Sequence, residues 1–397
     1  MGRKLLYFPL SALLCLFLYA SGAAQEIAGP IGVSAGGGVE IIEGELWYRI
    51  TVQPELSLGK FGIGLDIDLR VNNKGQIRKE DWDDPKKFAR VIRYIRYGHK
   101  GDRPVYARVG ALYYATLGHG TIMNRYTNRL DFNDRKIGLE LDLGSHALGF
   151  ESVVNDLMNP YLVGGRIYWR PLRPFLRIPI LRNIEVGGSS VSDFGENGAL
   201  VWGLDIGLPI LELPSIRSIL YADYAKMNEH GSGKSAGFMT SIGGATAKIE
   251  YRVIEPDFLM PYFDRFYETV RDTKLGSLPQ ESKRGWYGEV LYEIFGRMRV
   301  LGAYEDYEGM SPTARMELSA PKLLDKITIN ASYDKRNVES PWKIFSLDED
   351  TLINARIGYT VLPHTRIVVD FQQTFQKGAD GKYTPLKSIS TTVEFFI

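Results

Sequence analysis

The chain has 397 residues, with 48 Lys and Arg against 47 Asp and Glu, 42 Gly, 23 Tyr and one Cys. Near-balanced charge excludes a bulk electrostatic attraction to nucleic acid, and a lone cysteine excludes a disulfide-stapled fold. Beyond the first two dozen residues no run of about 18 apolar side chains occurs, which excludes a transmembrane helix there.

Residues 1–24 read as a secretory signal peptide. Arg3 and Lys4 form a basic start, Leu5 to Tyr19 is a compact apolar run, and Gly22 and Ala24 suit the −3 and −1 sites of a signal peptidase acting before Gln25. An uncleaved anchor is the competing reading, but the run is short for one and ends in small residues. Cys15 follows Leu14, where a lipoprotein signal has a small residue, so no acylated cysteine is expected. Losing Arg3 and Lys4 leaves 46 basic against 47 acidic residues and no thiol chemistry. Residues 25–397 then form one unit, without a Ser/Gly linker, a low-complexity tract or a plug-sized N-terminal domain.

The first clear element is Phe61 to Arg70. Phe61, Ile63, Leu65, Ile67 and Leu69 alternate with Gly62, Gly64, Asp66, Asp68 and Arg70, so a strand here has one apolar and one charged face. Asp83 to Tyr97 breaks the rhythm. Asp83 or Asp84 suits a helix cap and Pro85 the first helical position. Phe88, Val91, Ile92 and Ile95 share a face, and Lys86, Lys87, Arg90, Arg93 and Arg96 cover much of the rest. A short basic amphipathic helix is expected, either constricting a pore or meeting lipid phosphate, or simply packed on a rim. The acids at Asp81, Asp83 and Asp84 read better as a capping cluster than as a weak calcium site.

Further on, Leu117-Gly118-His119-Gly120-Thr121, followed by Asn124-Arg125-Tyr126, reads as a folded-in loop where backbones approach closely. Alternation returns in Arg135 to Leu143. Arg166, Arg170, Arg173, Arg177 and Arg182 are interleaved with Pro171, Pro174 and Pro179, which disfavours a central strand and predicts a loop or irregular edge. Arginine forks suit carboxylates and phosphates, so this segment is either an anion-attracting mouth or lipopolysaccharide contact, or a set of arginines paired with loop carboxylates. Asn228 to Lys234 has the composition of a hairpin turn.

Alternation resumes in Ala247 to Val253. Phe258, Tyr262, Phe263, Phe266 and Tyr267 follow, with Met260-Pro261 setting a turn before a short helix. Their spacing predicts packing, with a sugar-stacking platform as the alternative. Alternation then runs through Lys326 to Asp334, Ile353 to Val361, Arg366 to Phe375 and Lys387 to Ile397.

Two architectures make such strands: a soluble antiparallel sheet with its apolar face in a core, or a transmembrane barrel with that face in lipid. The mature length, at roughly 20–23 residues per strand and half-connection, predicts a single antiparallel transmembrane β-barrel of about 16–18 strands with short loop helices. The chain stops inside an alternating strand, Thr392-Val393-Glu394-Phe395-Phe396-Ile397. With the signal peptide and the strand rhythm, this resembles the porin-like class of bacterial outer-membrane barrels. That class ends on such a strand with a terminal aromatic read by the assembly machinery. Here the last residue is Ile397, and Phe395 sits two back on the same face.

The resemblance implies residence in the bacterial outer membrane, contact with outer-membrane lipid and assembly machinery, and passage of small polar solutes. On that reading the lumen is lined by Asp66, Asp68, Arg70, Glu140, Asp142, Lys248, Glu250, Arg252, Arg356, Asp370 and Glu394. Their mixed signs suit either a transverse field across a pore or a salt-bridged, closed lumen. A non-conducting structural or adhesive barrel, binding lipid, glycan or protein through its loops, is the alternative. His230-Gly231-Ser232 is similar to the His-x-Ser pair of outer-membrane phospholipases and lipid A deacylases. The phospholipase pattern has an Asn soon after the Ser, where this chain has Gly233 and Lys234, so a lipid hydrolase ranks last and no enzyme is expected. Five scattered histidines and the absence of phosphate-cradling motifs predict no metal and no cofactor.

Overall fold

The computed structural model describes residues 31–83, 88, 91–131, 133–213, 215–294, 297–323, 326–338, 340–378 and 382–396. The expected signal peptide lies outside them. The strands are β1 (Ile31–Ile42), β2 (Glu45–Leu58), β3 (Phe61–Leu65 continued by Ile67–Val71), β4 (Ile92–Tyr97), β5 (Val105–Gly110), β6 (Gly138–Gly144) and β7 (Leu148–Val154). They continue as β8 (Leu162–Trp169), β9 (Glu185–Asp193), β10 (Leu200–Leu213), β11 (Ile216–Met227), β12 (Ser232–Ile242), β13 (Ala245–Ile254) and β14 (Lys283–Ile294). The last are β15 (Met298–Tyr307), β16 (Thr313–Leu323), β17 (Ile327–Lys335), β18 (Thr351–Leu362), β19 (Thr365–Lys377) and β20 (Tyr383–Phe396). Each pairs antiparallel with the next, and β20 returns to β1 in register from Ser34↔Phe396 to Ile42↔Ser388. The result is a closed all-β barrel of 20 strands.

Which face is apolar decides between the two architectures. On β13, Ile249 is 51% exposed while its neighbour Glu250 is 2% exposed; on β20, Phe395 is 60% exposed and Glu394 2%. A soluble sheet buries the first of each pair and wets the second. The reverse arrangement satisfies every strand backbone in a closed ladder and offers apolar side chains to lipid. Exposed Tyr48, Trp202, Trp286, Tyr292 and Tyr304 add aromatic rings to that outer wall, as amphipathic rings do at membrane–water boundaries.

The two ends differ. At one, neighbouring strands are joined mostly by connections of two or three residues: 59–60, 145–147, 214–215, 243–244, 295–297, 324–326 and 363–364. The opposite end carries 72–91, 111–137, 255–282 and 336–350. In membrane barrels the short turns face the periplasm and the long loops the exterior.

Two sequence expectations are corrected here. The strand number exceeds 16–18, because turns of two or three residues at one end shorten the average to roughly 18 residues per strand. The expected helix over Asp83–Tyr97 is also replaced in its second half by β4, Ile92–Tyr97; residues 84–87, 89 and 90 lie outside the described set. The apolar-face pattern at Ile92 and Ile95 fits a helix, but β4 completes the ladder between β3 and β5. A register shift at Gly64/Leu65 breaks the strict alternation. As a result Arg93 and Tyr94 both turn to Glu55, Tyr94 Oη donating to Glu55 Oε1 at 2.6 Å and Arg93 forming an ion pair with it.

Candidate functional site

The lumen is built by strand alternation: every second side chain of each strand points inward, and these positions carry the charges. At the seam where β20 meets β1, Arg49 on β2 donates to both carboxylate oxygens of Asp68 on β3, at 2.9 and 3.1 Å. Its Nη1 reaches Ser390 on β20 and lies 3.8 Å from Asp370 on β19. Arg70 Nε donates to Glu40 Oε2 at 2.6 Å, and its Nη1 to Asp81 at 3.1 Å. Arg356 pairs with Asp370 and Glu394, and Arg366 donates to Glu394 at 2.8 Å. This network crosses strands β18 to β3 through the seam, so it ties first strands to last.

The other expected lumen residues also sit in inward clusters. Glu140 and Asp142 share Lys100. Glu250 accepts from Tyr221 and pairs with Lys248 and Arg252, and Arg252 reaches Glu305 at 2.7 Å. Asp66 accepts from Gln53 at 2.8 Å.

Of the arginine-proline segment, Arg166 lies inside β8, buried, and donates to Asp205, Glu185 and Glu151 at 2.6–3.1 Å. The others sit in the 170–184 connection at the short-turn end, with one helical turn, α1 (Pro179–Arg182). Arg170 donates to Glu185, and Arg173 to Asn183. Ser232 Oγ donates to Glu255 Oε2 at 2.6 Å rather than to a histidine. Among the described residues no three His, Cys, Asp or Glu side chains cluster as a metal site.

Two long loops fold into the lumen from the outer end. Loop 111–137 forms a hairpin closed by the Ala115↔Tyr126 bridge, and its Met123 pairs with Phe263 of loop 255–282. Gly118 and His119 form the tip. Gly118 N donates to Glu151 at 2.9 Å; His119 Nδ1 lies 2.9 Å from Asp223 Oδ1, its ring stacks on Tyr221, and its carbonyl accepts from Lys248. Gly118 has φ +54°, and a Cβ there meets Arg166 Nε at 2.8 Å, so this close approach needs glycine.

Loop 255–282 contributes Phe258, Met260, Tyr262 and Phe263, which pack before the helix rather than on it; α2 runs Tyr267–Lys274. Both loops cover an apolar patch of the inner wall: Val153, Val191, Val201, Ala225, Met227 and Ile254. Sequence reasoning missed this patch and the acid that pins the loops, Glu268. Its carboxylate accepts from Lys136 at 2.7 Å and from the hydroxyls of Tyr126 and Tyr161.

The opposite face of loop 111–137 is polar and only partly exposed, carrying Tyr113, Tyr114, Asn124, Arg125, Arg129 and Arg135. It looks toward the charged wall of β16–β20 and β1–β3. Arg125 pairs with Glu317 on β16, and Arg135 stands 3.6 Å from Asp66 on β3. Arg265 Nε, from the second loop, lies 2.8 Å from Asp334 on β17. Arg129 makes no ion pair among the described residues; burial and the neighbouring Arg135 charge both lower its pKa. Outward of this line is a cavity of about 460 Å³ whose lining includes Arg265, Arg315, Arg336, Lys274, Asp264 and Asp334.

A closed barrel with a lipid-facing apolar wall, a charged lumen and inward loops is now complete. The fold is a closed antiparallel β-barrel of the kind that crosses a membrane with its strands. No family model and no curated protein matches the sequence. Among solved structures it is similar to three from Pseudomonas aeruginosa. OccK2 (OpdF) in complex with glucuronate is 8% identical over 93% of this chain and 96% of that one, with TM-score 0.36. OpdK with vanillate is 8% identical over 92% and 98%, with TM-score 0.35. The outer membrane protein OprD is 10% identical over 96% and 97%, with TM-score 0.34.

Proposed function

We propose that the protein is an outer-membrane channel for small polar solutes, which pass between the polar face of loop 111–137 and the charged wall of β16–β20 and β1–β3. The observation that carries this reading is the asymmetry of the loop. One face is sealed onto the wall by fully buried apolar side chains, so no water path runs there. The other face keeps Arg125, Arg129 and Arg135 partly exposed, at 14% for Arg125 and 16% for Arg135, against a wall whose own charges are paired laterally. Mixed charge of this kind favours polar solutes over apolar ones. The cavity at the outer side, with both signs on its lining, serves as the entry vestibule. Residues 1–24 direct export, and β20 offers Ile389, Val393 and Phe395 outward to the assembly machinery.

A second reading has its own support: Arg125–Glu317, Arg265–Asp334 and Arg135–Asp66 span from loop to wall, as struts in a lumen closed to solutes would. The barrel is then structural or adhesive. Purified protein in a planar bilayer separates the two. Discrete, steady conductance steps are expected, and Arg129→Glu shifts the cation-to-anion permeability ratio toward cations by roughly twofold or more. Silence from folded protein sinks the channel and leaves the strutted lumen.

A further inference from the structure

The outer wall carries a groove that the lumen reading does not use. Along β13–β16 two apolar-floored cavities of about 640 and 540 Å³ adjoin, sharing Ile249, Gly288 and Tyr304. The groove exists because Gly288 on β14 and Gly302 on β15 present no side chain: a Cβ built on either meets nothing within 4 Å. Phe238, Val290 and Met316 wall its lower part. Toward the long-loop end it runs alongside the packed ring pair Tyr251 and Trp286, whose centroids lie 4.9 Å apart, and ends at Arg284.

At that end the outer face carries two exposed cations, Lys234 and Arg284. Lys234 on β12 registers with Val253 on β13, and Val253 registers with Arg284 on β14. Both cations are exposed, and among the described residues neither makes an ion pair. Two strands apart, they stand about 10 Å from each other. Lys226 on β11, whose Nζ donates to the His230 carbonyl, extends the row. Asp306 and Glu308 are the acids on this rim. Arg284 lies about 13 Å from Gly288 along the strand, so a ligand that meets both must be polar at one end and apolar at the other.

We infer that this face binds one lipopolysaccharide molecule of the outer leaflet, with headgroup phosphate at Lys234 and Arg284 and an acyl chain in the groove over Gly288 and Gly302. Charge complementarity selects the occupant. The cations stand at headgroup level on the exterior side, above an aromatic belt, and the groove below them has an apolar floor. The inference rests on the outer-membrane placement and is independent of whether the lumen conducts.

The test is lipopolysaccharide retained per barrel after extraction from a lipopolysaccharide-bearing outer membrane in mild detergent, read by mass spectrometry of its hydroxylated fatty acids. Wild-type protein retains about one equivalent. Lys234→Glu with Arg284→Glu lowers retention at least about fivefold. Gly288→Leu, which fills the groove without touching the charges, also lowers it. Lys387→Glu, an exposed cation on β20 away from the groove, does not. Heat-modifiable migration on a gel confirms that each variant is folded. Equal retention in wild type and the first two variants overturns the inference. So does displacement by phosphatidylglycerol as effective as by added lipopolysaccharide, or displacement by inorganic phosphate alone. Conductance is recorded on the same samples, so a silent but lipid-retaining wild type counts against the channel and not against this site.

Discussion

Replacing residues 115–126 by a short Gly-Ser link raises single-channel conductance roughly threefold or more and reduces ion selectivity. The hairpin these residues form carries Arg125 and reaches the His119–Asp223 contact. The wall ladder makes no use of it, since every strand from β5 to β14 pairs with its neighbours. Removing the hairpin wets inner-wall side chains such as Val201, Met227 and Ile254. Each costs about 1.5–3 kcal/mol if fully exposed, spread over a closed barrel that keeps its hydrogen bonds. Folded protein with unchanged conductance would mean that the hairpin does not obstruct the path.

The second large effect is expected at Glu268. Its carboxylate lies at the start of α2 and takes three donors, from Lys136, Tyr126 and Tyr161. Glu268→Ala leaves the Lys136 ammonium buried without its partner, a loss of about 3–5 kcal/mol in the docking of the two loops. Current then flickers between levels, and protease cuts 255–282 at least tenfold faster than in wild type. Glu268→Gln keeps an acceptor and falls between. Burial pulls the Lys136 pKa down, but the Glu268 charge and hydrogen bond outweigh it and the net shift is well upward. A raised lysine stabilises the folded loop fully below its ordinary value near 10.4 and loses that contribution only as pH rises through the folded value. Wild-type current is therefore steady through neutral pH and becomes noisy only at strongly alkaline pH. Quiet current from Glu268→Ala would remove this residue from the account.

The barrel was legible wherever one face meets lipid and the other a polar lumen, because period-two alternation is then undiluted. Phe61–Arg70, Ala247–Val253 and Lys387–Ile397 all show it, and their structured counterparts are β3, β13 and β20. Alternation failed at Ile92–Tyr97, where the register shift turns Arg93 and Tyr94 the same way and imitates a helical period. The inward loops left a signal that went unread. Val153, Val191, Val201, Met227 and Ile254 are apolar residues on the register that elsewhere carries Glu, Asp, Lys and Arg, all near the long-loop ends of β7–β13. An apolar residue repeated at that position on successive strands means that something covers the inner wall. The partners of Glu268 were out of reach, since Lys136 and Tyr161 are brought to it across more than a hundred residues of sequence.

The most direct measurement uses the lack of any cysteine from Gln25 onward. Single cysteines are placed at Arg129, on the polar face of the inward loop, and at Ile249, on the outer wall, and a charged, membrane-impermeant thiol reagent is added during bilayer recording. The account predicts that current through Arg129→Cys falls by about half or more within the reaction time, while Ile249→Cys is unaffected. Current that ignores the reagent at position 129, or that drops with Ile249→Cys, would contradict a solute path between loop 111–137 and the charged wall.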